Sequence, residues 1–389
     1  MSREAAGARV LVFSQRNGSE IQPFRCPHFE FEDIIAQIDH VDMVAPRFSF
    51  GTKRRNLVRQ LAYHSPFVLN PGVEPVRLTS SYDLFFAILG NPTDLLQLRS
   101  LGDWRSKCRK AVCLIDELWI REMDAYSRYL RMLDQFDYVI LYYSQSIEPL
   151  QKYTRARCLY LAPGVDTIRF CPWPNVPERS VDVYSVGRRS AVTHKSLLHR
   201  AAREGKFYLH DSISGNRVID PNEHRNLFAN IAKRSRYFLV YPGLIDSPEI
   251  RGTQIEIGNR YFEGAASGTI MLGEVPDNAE FARMFDWPDP VIHVPYNSAD
   301  LDTTIRALEK QPAIQDQMRR NNVRNSLMRH DWVYRWETIL QAGGLQPLSP
   351  LTERKEKLRS LAGLVLPEEK PHPMIQSKET MFRIATVIR

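Results

Sequence analysis

Residues 259–274 read NRYFEGAASGTIMLGE, and the reading of this stretch decides the fold. A short helix start carries one carboxylate, Glu263, followed by the small residues Gly264, Ala265, Ala266, Ser267 and Gly268. A run with the look of a buried strand, Thr269 to Leu272, comes next. Small residues let a helix pack closely on a strand, and Gly268 suits a tight helix-to-strand turn. That packing leaves Glu263 unexplained. A carboxylate at the carboxyl edge of an α/β sheet can accept bonds from both hydroxyls of a ribose. The plain alternative is a carboxylate near a helix amino terminus with no ligand.

A second segment, CLYLAPGVDTIRFCP at 158–172, stands about a domain's length earlier. An apolar run, Leu159 to Leu161, ends at Pro163-Gly164; Asp166 can cap the following turn and Phe170 supplies an apolar anchor. The pair of segments resembles GT-B glycosyltransferases of the family-4 type and the related spore-coat-type glycosyltransferase-like group, over roughly residues 130–340. The first segment is similar to their ribose-binding E-x-M-A-x-G stretch, the second to their interdomain "nGVD…F.P" connection. The resemblance implies an α/β GT-B fold, with two Rossmann-like parallel-sheet domains facing a central cleft.

Length and composition agree with that expectation. A chain of 389 residues suits two domains of about 150 to 200 residues, and 43% apolar content is that of a globular protein. No apolar run approaches the roughly 20 residues that span a bilayer, and the start, MSREAAGARVLVFSQ, lacks a signal-peptide pattern. The five cysteines form an odd set without metal-ligand spacing, against a disulfide framework or zinc site. We expect a cytoplasmic protein, at most peripheral at the inner membrane face. The net charge of +7 matters by location: Arg99 to Lys110 holds five basic residues against one acidic, and Lys53, Arg54, Arg55 and Arg59 precede it. A solvated helix face is the default reading. An anionic membrane or acceptor is the alternative, with Trp104 as interfacial anchor. Nucleic acid is not expected, because no binding motif accompanies the charge.

Short apolar runs alternate with helix-length segments at Val10–Phe13, Met43–Ala45, Leu84–Leu89, Ala111–Ile115, Tyr138–Tyr142 and Cys158–Leu161. They resume at Val181–Val186, Phe207–Leu209, Tyr237–Tyr241, Thr269–Leu272 and Val291–Val294. Such runs predict parallel sheets covered on both faces. The organisation expected is an acceptor domain over 1–172, a linker at 173–179 and a nucleotide-sugar domain over 180–329. A helix over 330–345 then resembles the GT-B helix that crosses back to the first domain. A tail, 346–389, is partly helical, with PEEKPHP at 367–373 favouring extended or disordered chain.

The chemistry follows from the resemblance. VDVYSVGRRSAVTHKSLL places Gly187 at a strand end before Arg188 and Lys195, similar to the family's diphosphate-neutralising arginine and lysine, though Lys195 follows Arg188 by seven residues, further than expected. Arg260 and Glu263, with Ser267, Gly268 and Thr269 behind them, complete the donor-binding set. Glu256 stands where the family carries a donor-sugar glutamate, but its spacing of seven residues before Glu263 is one short. Asp116 and Glu117, ending the CLIDELW run, match the position of an acid or histidine that faces the anomeric carbon; a helix N-cap is the alternative. Arg16, Asn17 and Gly18, after the first strand, form the candidate acceptor loop. Histidines 28, 40 and 64 have no partner recognisable from sequence. The implied activity transfers a sugar from a nucleotide diphosphate sugar to a glycan, lipid, protein or small-molecule acceptor, without metal or cofactor, and a retaining course leans on Glu256. Rival readings are a nucleotide-sugar 2-epimerase and a degenerate GT-B module that binds a glycan or partner.

Overall fold

The computed structural model describes residues 7–18, 21–49, 69–211 and 217–365, with Arg54, Leu57, Val58, Gln60, Leu61 and His64. Lys53, Arg55, Arg59 and the segment 367–373 lie outside the described residues. The apolar runs form two parallel sheets. The first contains β1 (Val10–Phe13), β2 (Val41–Val44), β3 (Tyr82–Leu89), β4 (Cys108–Ile115), β5 (Tyr138–Leu141) and β6 (Arg157–Tyr160), in the order β2-β1-β3-β4-β5-β6. The second contains β7 (Val181–Ser185), β8 (Tyr208–His210), β9 (Ser235–Val240), β10 (Ile270–Gly273) and β11 (Val291–His293), in the order β11-β10-β9-β7-β8. Every neighbouring pair is parallel. Successive residues of β1 and β10 are buried on both faces because helices cover each sheet from both sides.

The strand orders set the functional geometry. In the first sheet the chain turns back between β1 and β3, in the second between β7 and β9. An open parallel sheet binds ligands outside the carboxyl ends of the strands at such a switch point. Helix Trp332–Gly343 lies on the first sheet: Trp336 packs on Phe86 at 5.5 Å, and Trp332 stacks on Phe31 at 4.6 Å. Val165 pairs with Asp331 beside it.

The basic run is not one helix face. It spans two short 3-10 segments, Pro92–Leu101 and Trp104–Lys107, and the start of β4. Trp104 is buried, with its ring 4.2 Å from Phe85 and 5.3 Å from Phe136, so it cannot anchor a membrane contact. Arg105 and Lys110 both reach Asp137. All five cysteines are buried and unbridged. Among the described residues no helix is long and apolar enough to cross a membrane.

Candidate active site

The carboxyl ends of the strands converge on a cleft of about 550 Å³, within the range typical of small-molecule sites. Its lining follows the strands in turn: Asp116 and Glu117 after β4, Tyr142 and Tyr143 after β5, Pro163 after β6, Gly187 and Arg188 after β7, Asp211 after β8. Ile257, Gly258 and Asn259 close it at the amino end of helix Asn259–Ser267, and Phe24 comes from the loop after β1. Of the expected residues, Asp116, Glu117, Gly187 and Arg188 therefore meet at one place.

Asp116 and Glu117 continue the β3–β4 ladder by donating to the carbonyls of Leu89 and Gly90. The next helical turn starts only at Ile120, so Asp116 is not a helix N-cap. Burial raises the Glu117 carboxyl above its ordinary value, against the Trp119 indole that donates to it at 2.9 Å. Behind Asp116, the buried His28 brings Nε2 to 3.1 Å of Oδ2. Across the cleft, Gly187 adopts φ +87°, a turn that suits glycine. Its N–H donates to Asp211, and Arg188 pairs with Asp246. Unpaired N–H groups of a helix start can make an anion site, and helix Asn259–Ser267 opens onto the cleft with Gly258 as its cap, which offers no side-chain bond.

Other expected residues stand elsewhere. Glu256 is buried at the junction of the two sheets and does not line the cleft: one carboxylate oxygen accepts from Ser144 N–H and the other from Gln145 N–H and Gln254. Burial pushes its carboxyl up to about 7, against these bonds. Ser267, Gly268 and Thr269 lie at the far end of helix Asn259–Ser267, before β10 begins, and the two hydroxyls are buried on the Gly264 carbonyl. Nine residues of helix put them about 13 Å from the cleft end, and none of the three lines the cleft. Arg16 is held by Glu32 and Asp33, Asn17 by the Ala45 carbonyl, and Gly18 by the Gln15 carbonyl. That loop serves its own fold, and none of the three lines the cleft. Lys195 is exposed on helix Ala191–Glu204, also outside the lining.

Glu263 and Arg260 belong to a buried ion cluster. Arg225 bridges Glu30, from helix Cys26–Ile38 of the first half, to Glu263, while Arg260 takes the second oxygen of Glu263. Glu30 also accepts from Asp166 N–H at 2.8 Å and the Trp332 indole at 2.9 Å. Burial opposes the charge on Glu263, but Arg260 and Arg225 outweigh it and hold the carboxyl below its ordinary value. Tyr142, Tyr143, Asp211 and Asn259 also line the cleft and are not among the candidates the sequence offers, whereas His28, with no partner recognisable from sequence, gains Asp116 in the fold. Asp211 follows a strand end and was within reach of the strand-end rule; His28 carries no local signal.

Residues 188–341 match the model of a family described as glycosyl transferase-like. An alpha-glucosyltransferase solved with UDP-glucose and DNA containing an abasic site shares the fold with a TM-score of 0.51, at 9% identity, over 87% of this chain and 100% of that one. Other similar structures include HepE of Anabaena with UDP-glucose (11% identity, TM-score 0.46, 90% and 99% covered). An α,α-trehalose-phosphate synthase (UDP-forming) from Burkholderia vietnamiensis is a third (11% identity, TM-score 0.48, 91% and 100% covered). No curated protein sequence matches the chain. The two parallel sheets thus share the fold of that alpha-glucosyltransferase, and residues 188–341 are similar to the glycosyl transferase-like family.

Proposed function

We propose that the enzyme transfers a sugar from a nucleotide diphosphate sugar, with the diphosphate at the Gly187–Arg188 turn and the acceptor hydroxyl at Asp116. The observation that carries this reading is the meeting of that turn and a helix amino end with two carboxylates across one cleft. A uridine donor is the first to try, because the alpha-glucosyltransferase of like fold was solved with UDP-glucose. As the glycosyl bond breaks, negative charge gathers on the diphosphate, and a fixed cation and helix dipole stabilise it there. The reaction then needs no metal, so a chelator should leave the rate unchanged. A retaining course would require Glu256 to leave Ser144 and Gln145. For Glu263 to hold the donor ribose, Arg260 would have to release one of its oxygens.

Arg188 should act on the leaving group, so Arg188→Ala should lower kcat and kcat/KM together, by about 100-fold. Thermal shift with UDP, GDP, ADP and dTDP identifies the nucleotide; ligand at a hundred times its dissociation constant adds about 2.7 kcal/mol. Nucleotide release from the matching sugar then tests transfer. A folded protein that gains no stability from any nucleotide would defeat the proposal.

A further inference from the structure

Two polar groups under the acceptor side of the cleft are buried without an aligned hydrogen-bond partner. They are His28 Nε2 and the Tyr142 hydroxyl, on residues only 3% and 1% exposed. Their rings stand 6.5 Å apart, and Asp116 acts electrostatically on Tyr142. Nε2 lies 3.1 Å from Asp116 Oδ2, within reach but off the line of a good bond. Leaving buried donors unpaired is costly. Bonds that serve catalysis are often long or misaligned without substrate and tighten when it binds. Buried polar groups at the neighbouring junction of the sheets are hydrogen-bonded by contrast: Glu256 accepts from Ser144 and Gln145, Ser146 donates to the Leu118 carbonyl, and Gln254 accepts from Ile120 N–H.

We propose that His28 is a positioning residue for Asp116. Donating from Nε2 to Oδ2, it fixes the carboxylate so that the other oxygen takes the proton of the acceptor hydroxyl. As that proton passes to Asp116, the acceptor oxygen bonds the anomeric carbon. The bond from that carbon to the diphosphate breaks, and its electron pair leaves with the nucleotide. His28 touches neither substrate and acts only through Asp116, so this inference rests on the proposed transfer reaction. A buried histidine that merely fills space would be replaced by a ring of similar size without loss of rate.

The test uses the full chain with UDP-glucose and the other common nucleotide sugars as donors and water or simple sugars as acceptors. His28→Phe, His28→Gln, Asp116→Asn and the double variant His28→Phe/Asp116→Asn are compared. His28→Phe should lower kcat about 10-fold or more, with KM and nucleotide affinity within about twofold, and the donor-retaining His28→Gln should recover most of the loss. In the Asp116→Asn background, His28→Phe should change kcat less than about twofold, because residues that act as a unit are not additive. An equal loss in both backgrounds, no rescue by glutamine, or no loss at all would overturn the inference while leaving the transfer reaction standing. Should no donor turn over, the transfer reading fails, and the pairing is read separately by NMR of labelled histidine. His28 ring signals unmoved by Asp116→Asn would then overturn it.

Discussion

The carboxylate that looked most like a ligand site in the sequence is, in the folded chain, the centre of an ion cluster. Arg225 lies between Glu30 and Glu263 with its guanidinium 4.9 Å from the Phe170 ring. Breaking a buried pair leaves an uncompensated charge, at a cost of about 3–5 kcal/mol. Glu263→Gln should therefore lower unfolding stability in urea by about that much at pH 7. The carboxyl sits below its ordinary value in the fold. The stability it contributes is thus fully present above the unfolded value, about 4.3, and lost as pH falls through the lower folded one. The gap between the two proteins should narrow below about pH 4. A gap that stays constant into acid would mean that the cluster carries little of the effect. None of this was legible locally, because Glu30 and Arg225 stand far apart in the chain and only the two sheets facing each other bring them together.

At the scale of elements the chain was far more readable. Runs such as Val10–Phe13 and Leu84–Leu89 are short and apolar at successive positions, as a strand buried on both faces requires, and they are β1 and part of β3. The basic run misled on Trp104, offered there as an interfacial anchor, because its burial depends on Phe85 and Phe136 from other elements. The GVD segment was recognisable as a turn, but its reason is long-range. A Cβ on Gly164 would sit 2.5 Å from the Trp332 ring, and Val165 N–H donates to the His330 carbonyl. Trp332 is held in place by its stack on Phe31 and its bond to Glu30, so it cannot give way cheaply. Gly164→Ala should destabilise the protein by about 1–3 kcal/mol, the usual cost of overpacking, measured by thermal or urea unfolding. An unchanged midpoint would show that the Trp332 contact is looser than this packing implies.

For the whole molecule, the junction of the sheets matters as much as the cleft. Glu256 on one side meets Ser144 and Gln145 on the other, and Arg121 reaches the carbonyls of Pro248 and Glu249. The Glu256 carboxyl, pushed up to about 7 by burial, binds its proton more tightly folded than unfolded. Its contribution is fully present below the unfolded value, about 4.3, and is lost as pH rises through about 7. Stability should thus fall by about 3 kcal/mol from this group between pH 4.5 and 8, and Glu256→Gln should remove that slope. Identical slopes in urea unfolding of the two proteins would assign the pH dependence to other groups. The crossing helix Trp332–Gly343 has a consequence of another kind. It covers the face of the first sheet that holds Phe86, and Gly343 rests on Leu84. A ribosome that has released the first six strands has therefore made a half-molecule with one side only partly covered, by helix Cys26–Ile38. That side stays open to other nascent chains and to chaperones until the second sheet has emerged and the helix arrives to seal it.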